Sequence, residues 1–271
     1  WLGYVTTIGR EHYDYIFSDP ITTPVGYDQF FAEKLVRLPY TLQINDRQRP
    51  ISDRIFKREE LGLPETGFVF CNFTQVFKIQ PKMFACWMRI LARVPGSVMW
   101  LAVSDTATQD ALRAQAVKGG VDSARLIFAE RVPFAEHLAR HRCADLLLDT
   151  APIGSGTSAS DCLWAGCPLL VCKGELMYSR MAAGIAHAAQ LDDLIANSIE
   201  QFEEIAVEMA THPTKLRKLR ESLVNNRDKL PLFDTPRFVK YFEQALMAMH
   251  INANSSSNPY PIFIHHQESS L

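Results

Sequence analysis

Hydrophobic positions in the middle of the chain form short, continuous runs, and longer segments with helical spacing separate these runs. Continuous apolar runs are typical of parallel strands that are covered on both faces. Strands are predicted at 68–74, 97–104, 124–130, 144–150 and 168–173, and helices at 81–93, 106–118, 133–142 and 157–165. This alternation predicts an α/β domain with a doubly wound parallel sheet.

The flanking segments follow other patterns. Residues 13–20 are predicted as a strand and residues 29–38 as a helix, followed by a polar connection through Asp53. Helical spacing dominates from 180 to 250, and the last helix, at 233–250, begins with an Asp-Thr-Pro start signal. Residues 251–271 are rich in Ser, Asn and Pro without periodicity, which predicts a disordered or loosely attached tail.

Composition narrows the functional classes. The 271 residues include 28 Lys and Arg against 30 Asp and Glu, so no basic excess indicates nucleic acid as a partner. The basic segment 214–223 carries leucines at helical spacing, which favours a solvated helix face. Six cysteines without a paired motif indicate a reducing compartment, and no apolar run reaches the roughly 18 residues of a membrane span. We expect a cytoplasmic protein without a membrane segment and, because the pattern at Trp1 starts midway, a fragment of a longer chain.

A loop of small residues follows the predicted strand at 144–150. Residues 154–158 (GSGTS) combine glycines, which allow close backbone approach, with hydroxyl donors at the start of the next helix. Ligands bind at this edge of an open α/β sheet, so Gly156, Thr157 and Ser158 are predicted to bind phosphate. Asp161, one turn later, is a candidate acceptor for a sugar hydroxyl. A plain Gly/Ser helix cap with a solvated Asp161 is the alternative.

Two further segments place polar side chains at the same edge. Gln75 and Lys78 follow the first strand of the domain and offer an amide and an ammonium group to a phosphate. His137 and Arg140 share one helix face, where the imidazole can stack on a base and the guanidinium can bind a carbonyl or phosphate. The alternatives are a surface lysine and a half-buried histidine beside a surface arginine.

A dinucleotide-binding domain is the rival interpretation. Residues 154–159 match G-x-G-x-x-A, and Glu175 follows about 20 residues later. The match is weak because such a fingerprint normally opens the first unit of its domain, whereas this one lies in the fourth. The sequence has no Walker loop, H-E-x-x-H or D-x-D motif, so phosphate chemistry is expected to need no metal.

Six blocks in one order resemble a known family: WLGY, CNFTQVFKI, RVPFAEHLAR, ADLLLDT, GTSASDCLWAGCPLL and PLFDTPRF. Together they resemble the carboxyl-terminal half of the catalytic region of the protein O-GlcNAc transferase and SPINDLY-like family, glycosyltransferase family 41. The resemblance covers nearly all of 1–250 and implies a GT-B type architecture. It implies four units, which are the end of a first catalytic lobe with a connection (1–60), a Rossmann-like nucleotide-sugar-binding lobe (61–232), a C-terminal helix (233–250) and the tail (251–271).

The resemblance also implies roles for the candidate residues. The diphosphate would be bound by two groups of donors, which are Gln75 and Lys78 after the first strand and Gly156, Thr157 and Ser158 at the helix start. Lys78 is the candidate catalytic residue. His137 would stack on the uracil with support from Arg140, and Asp161 would hold the ribose. The segment that borders the sugar would be Leu2, Gly3 and Tyr4.

The implied reaction is inverting, metal-independent transfer of a sugar, most simply GlcNAc from UDP-GlcNAc, to Ser or Thr hydroxyls of a protein. The family carries tetratricopeptide repeats upstream and uses no cofactor.

The chain departs from the family pattern at Gly156, where a histidine is usual, at Phe134, where a lysine is usual, and at 5–7, where Val-Thr-Thr replaces Pro-Gly-Thr. UDP-glucose or GDP-fucose as the donor, and a lobe that binds without catalysis, therefore remain alternatives. We expect the isolated chain to be inactive as a transferase.

Overall fold

The computed structural model describes residues 5–9, 12–255 and 258–266. The strands in this part of the chain are β1 (Tyr15–Ser18), β2 (Lys34–Arg37), β3 (Val69–Asn72), β4 (Val98–Leu101), β5 (Leu126–Phe128), β6 (Leu146–Leu148), β7 (Leu169–Cys172), β8 (Ile195–Ala196) and β9 (Ile262–Phe263). The α-helices are α1 (Pro81–Arg93), α2 (Thr106–Lys118), α3 (Phe134–Arg140), α4 (Thr157–Trp164), α5 (Met177–Ala188), α6 (Ile199–Thr211), α7 (Pro213–Asn225) and α8 (Thr235–Asn254). They form a large α/β unit and a small sheet beside it.

Six parallel strands form the large sheet in the order β5-β4-β3-β6-β7-β8. Cys71 at the centre lies between Trp100 of β4 and Leu147 of β6. All residues of β3 and β4 are buried, as expected for strands covered on both faces. The five predicted strands and four predicted helices of this region are confirmed, α1 and α2 with the predicted bounds and the others with slightly shorter ends, and so is the doubly wound sheet.

The chain leaves β3 towards β4 on one side of the sheet and leaves β6 towards β7 on the other. The boundary between β3 and β6 is therefore a topological switch point, where the loops that follow the two strands diverge. Ligands of doubly wound folds bind in the crevice that this divergence opens.

The small sheet has the parallel order β1-β2-β9 and packs against α8. Arg37 of β2 is 1% exposed, and its guanidinium forms an ion pair with Asp28 (2.8 Å) and donates to Thr23 O (2.6 Å). Its guanidinium also lies 4.8 Å from the ring centroid of Phe263 in β9. A buried cation with this many partners fixes the strand between its neighbours.

The helix predicted at 29–38 is wrong. A short 3-10 turn covers Tyr27–Phe30, and the following residues form β2. β2 is paired on both sides, so consecutive residues of the strand are buried and its apolar run does not alternate. A short apolar run of this kind cannot be distinguished from a helical segment by periodicity.

The tail predicted at 251–271 is ordered in part. The last helix continues to Asn254, and Ile262–Phe263 pairs with β2. Within the tail, the structure describes residues 251–255 and 258–266. The strand was missed because two residues are too short to show alternation.

Three features considered from composition can be compared with the structure. All six cysteines are free, and five of them are buried. The segment 214–223 lies in α7, which buries Leu216 and Leu223 and exposes its basic face. Among the described helices, none is long and apolar enough to cross a membrane.

Gly67, which precedes β3, offers a test of how closely the backbone packs at the start of this strand. It has φ +108°, and a Cβ at this position would lie 2.4 Å from Gly96 O. We expect Gly67→Ala to lower the free energy of unfolding by about 3 kcal/mol, since backbone strain and an unavoidable clash add together. Urea unfolding followed by circular dichroism measures the change.

Gly96→Ala is the matched control, because Gly96 has φ +73° but no atom within 4 Å of an added Cβ. This substitution should lower the free energy of unfolding by about 1 kcal/mol, because it adds backbone strain without a clash. Equal losses in the two variants would contradict the steric explanation.

Candidate functional site

The candidate site lies at the carboxyl ends of β3 and β6. Asn72, 1% exposed at the end of β3, donates from Nδ2 to Leu148 O (2.7 Å) and thereby ties the two strands together. Its Oδ1 accepts hydrogen bonds from Thr74 N (3.1 Å) and Thr74 Oγ1 (2.6 Å). Asn72 therefore fixes the start of the loop that carries Gln75 and Lys78.

The loop after β6 folds around a buried carboxylate. Asp149 accepts hydrogen bonds from Ser155 N at 2.9 and 3.2 Å, and burial raises the pKa of Asp149 to about 6. A Cβ at Gly154 would lie 2.9 Å from Asp149 Oδ2, so the loop requires glycine there. Lys78 Nζ donates to Gly154 O (2.9 Å) across the switch point. The predicted proximity of Lys78 and the Gly/Ser loop is thus present.

α4 begins without a side-chain cap. Gly156 is its N-cap residue, and because glycine has no side chain, it makes no side-chain cap hydrogen bond to the first turn. Thr157 is exposed and Ser158 is half-buried, and both line the adjacent cavity. Free backbone amides and the helix dipole make such a helix start favourable for an anion.

A cavity of about 700 Å³ connects these elements. Six predicted residues line it, which are Gln75, Lys78, Gly156, Thr157, Ser158 and Asp161. Nine further residues line it, and sequence reasoning missed among them Gln43, Asn45, Arg49 and Met181. The first three lie in the aperiodic connection before Asp53, where no pattern marked them. Met181 lies in α5, whose helical spacing indicated packing and not a ligand.

The segment that carries the missed polar residues is held over α4 and the start of α8. Gln43 Nε2 donates to Ser160 Oγ (2.7 Å). Asn45 donates from Nδ2 to Leu232 O (3.2 Å), and the backbone oxygen of Asn45 accepts from Thr235 Oγ1 (2.7 Å). The long-range bonds therefore place residues distant in sequence in one wall of the cavity.

Asp161 is not a solvated carboxylate. Arg49 Nη1 donates to Asp161 Oδ1, and the two side chains are 12% and 11% exposed. Trp164 Nε1 donates to the backbone oxygen of Arg49 (3.1 Å). This hydrogen bond holds the backbone of Arg49 in place beside Asp161. Burial raises the pKa of Asp161, and the charge of Arg49 opposes that rise. A sugar hydroxyl that reached Asp161 would share the carboxylate with Arg49.

Arg140 is a buried positioning residue, which excludes the surface-arginine alternative. It is 3% exposed and donates from Nη1 to Glu130 O (2.6 Å) and from Nε to His137 Nδ1 (3.1 Å). Because His137 Nδ1 accepts, its ring proton lies on Nε2. Burial, together with the charges of His141 and Arg140, lowers the pKa of His137 to about 3. His137 is therefore a neutral ring 5.2 Å from the centroid of Phe73, which lines the cavity.

Three predicted positions at the start of the chain cannot be placed relative to the cavity. Leu2, Gly3 and Tyr4 fall outside the described residues. The segment that follows them is anchored by buried Glu33, which accepts from Thr7 Oγ1 (2.5 Å) and Ile8 N (2.7 Å). In the described part of the chain, no cluster of three or more His, Cys, Asp or Glu side chains is arranged to hold a metal ion.

Comparison with known proteins identifies the class. The model of Glycosyl transferase family 41 matches residues 1–57 and 48–242, and the chain belongs to this family. The resemblance and the GT-B type α/β fold expected from the sequence are thus confirmed. The family is one of glycosyltransferases and not of dinucleotide-dependent enzymes, which removes support for the rival interpretation.

Particular relatives agree with this assignment. The chain is 35% identical over 255 residues to the probable UDP-N-acetylglucosamine–peptide N-acetylglucosaminyltransferase SEC of Arabidopsis thaliana, covering 92% of this chain and 26% of the relative. It is 28% identical over 258 residues to the SPINDLY protein of Solanum lycopersicum, covering 92% and 27%. An O-GlcNAc transferase mutant of Thermobaculum terrenum superposes with a TM-score of 0.82 at 25% identity, covering 94% and 48%. The chain spans about a quarter of the length of the two plant proteins.

The neutral state of His137 has a consequence for pH dependence. The folded pKa of about 3 lies below the ordinary 6.5, so the unfolded chain takes up a proton that the folded chain rejects as pH falls between these values. The free energy of unfolding therefore decreases as the pH falls through this range. We expect ¹⁵N-edited NMR to show His137 unprotonated from pH 8 to 5.

Arg140→Met should raise the pKa of His137, because it removes one of the charges that lower it. Arg140→Lys retains the charge and should raise that pKa less. A titration of His137 near pH 6.5 in the unsubstituted protein would refute the assignment.

The ion pair in the cavity generates a second prediction. Arg49→Met leaves the Asp161 carboxylate buried without its cation, and we expect the free energy of unfolding at pH 7.5 to fall by about 3 kcal/mol. The deficit should shrink as pH falls through the raised pKa of Asp161, because the carboxyl becomes neutral in the folded state. Urea unfolding at pH 7.5 and 5 measures both effects.

Arg54→Met is the matched control. Arg54 is 51% exposed and pairs with Glu60 and Glu136, so its loss should cost less than about 1 kcal/mol at either pH. The double variant Arg49→Met/Asp161→Asn should recover part of the loss. Equal stability of Arg49→Met and the unsubstituted protein would contradict the buried pair.

Proposed function

We propose that this chain forms the donor-binding part of a protein O-GlcNAc transferase, which transfers GlcNAc from UDP-GlcNAc to Ser or Thr hydroxyls. The observation that carries the proposal is the convergence of Lys78 and the uncapped start of α4 on one cavity at the switch point. Family membership and similarity to a probable UDP-N-acetylglucosamine–peptide N-acetylglucosaminyltransferase of Arabidopsis thaliana support the same donor and acceptor classes.

The nucleotide would lie across the switch point. Its diphosphate would meet Lys78, Gln75 and the amides and hydroxyls at the start of α4. The base would stack beside the neutral ring of His137, and a ribose hydroxyl would share the carboxylate of Asp161 with Arg49. Tetratricopeptide repeats upstream and the protein acceptor belong to the complete protein in this proposal.

The chemical step follows from the charge arrangement. The acceptor oxygen attacks the anomeric carbon from the face opposite the phosphate, and the bond to the phosphate oxygen breaks with its electron pair on the leaving diphosphate. Inversion results from this geometry. The ammonium group of Lys78 and the helix start stabilise the developing negative charge in place of a metal ion. The proton of the acceptor hydroxyl passes to a base that we do not place among these residues.

Calorimetric titration of the complete protein with UDP, GDP and NAD in EDTA tests the proposal. We expect saturable binding of UDP and weaker or no binding of GDP and NAD. Lys78→Ala should lower kcat about 100-fold, because one preorganised donor to the leaving group is worth a few kcal/mol in the transition state. Transfer to a Ser/Thr peptide measures kcat.

Lys82→Ala is the control, since Lys82 is an exposed residue in the first turn of α1 outside the cavity. It should leave kcat and UDP binding unchanged. Binding of NAD in preference to UDP would refute the proposal. UDP binding without transfer would support the non-catalytic alternative, and an unchanged kcat in Lys78→Ala would reject the role of Lys78.

A further inference from the structure

The sheet order defines the direction in which a bound donor extends. α3, which carries His137, follows β5 on one side of the switch point, and α5 follows β7 on the other. A nucleotide with its base beside His137 and its diphosphate at the start of α4 directs its sugar towards α5. This step rests on the proposed function.

Met181 is the residue of α5 that reaches the phosphate-binding turn. A Cβ at Gly156 would lie 2.5 Å from Met181 Cε and 3.6 Å from Gln43 Oε1. The thioether therefore occupies the space that any side chain at position 156 would need. Met181 also lines the cavity, so one side of it faces the space available to a ligand.

α5 is held firmly enough to present Met181 as a wall. Arg180, the preceding residue, donates from Nε to Ile21 O (2.8 Å) and from Nη1 to Gly174 O (3.0 Å). The loop after β6 packs directly on the helix, since a Cβ at Gly154 would lie 3.2 Å from the Cβ of Ala182. The backbone on both sides of Met181 is thus fixed relative to the start of α4.

We propose that Met181 is a specificity-determining residue that contacts the donor sugar and favours an apolar substituent over a hydroxyl. A thioether is polarizable and donates no hydrogen bond, so it packs well against the methyl group of an N-acetyl substituent. It leaves a sugar hydroxyl at the same place without a strong partner. The absence of a side chain at Gly156 is what permits this contact.

Calorimetry with the complete protein tests the contact through a ratio. The quantity is the Kd for UDP-glucose divided by the Kd for UDP-GlcNAc, with the Kd for UDP measured in parallel. We expect Met181→Ala to lower this ratio about tenfold, the scale of losing a small apolar contact. Met181→Leu retains an apolar side chain of similar volume and should restore most of the ratio.

Gly156→Ala adds a second variant at the same contact. Its methyl group must displace Met181 Cε, so the ratio should change in the presence of Met181 and stay at the Met181→Ala value in the double variant Gly156→Ala/Met181→Ala. Met247→Ala is the matched control, because Met247 is 58% exposed on α8. It should leave the ratio unchanged.

The outcomes separate the two proposals. If UDP binds normally and the ratio in Met181→Ala stays within twofold of the unsubstituted protein, the role of Met181 is refuted and the proposed function stands. If the unsubstituted protein binds no UDP, the proposed function fails first. UDP binding by each variant also shows that it is folded, so a changed ratio reports the sugar contact.

Discussion

The divergence of the chain at β3 and β6 is the constraint on which the site depends. Parallel strands with connections running to opposite sides leave a gap above their carboxyl ends, and backbone groups at that gap have no ladder partner. Asn72 joins β3 to β6 at the base of this gap by its hydrogen bond to Leu148 O, and Lys78 extends across the gap to donate to Gly154 O. The polar groups that complete the fold here therefore also form the edge of the cavity.

Burial governs the charges around this cavity. Asp149 loses solvent but accepts a bifurcated hydrogen bond from the backbone N–H of Ser155, while the charge of Asp161 is compensated by Arg49. His137 remains neutral because partial burial and the charges of His141 and Arg140 disfavour its protonated form, and Arg140 donates to its Nδ1. In the proposed function, these fixed charges and the amides at the start of α4 would face the diphosphate and would need no reorganisation when charge develops on the leaving group.

The departure of this chain from the family pattern at position 156 has a physical counterpart. Removing a side chain from the helix start opens space, and Met181 fills that space from the neighbouring helix. An exchange of this kind preserves packing while changing the chemistry of the cavity wall. In the proposed function, phosphate binding would therefore rest on Lys78 and the backbone of α4, and the choice of sugar on Met181.

The sequence by itself determined the alternation of strands and helices from 68 to 173 and the edge at which Gln75, Lys78, Gly156, Thr157 and Ser158 meet. These features are local, because apolar runs and small-residue loops reflect the burial and turn geometry of adjacent residues. Tertiary structure alone decided that 29–38 contains a strand, that Ile262–Phe263 joins its sheet and that Asp161 is paired with Arg49. It also brought Met181 to Gly156. Each of these contacts joins segments that are distant along the chain, and periodicity within one segment carries no information about the partner that another segment supplies.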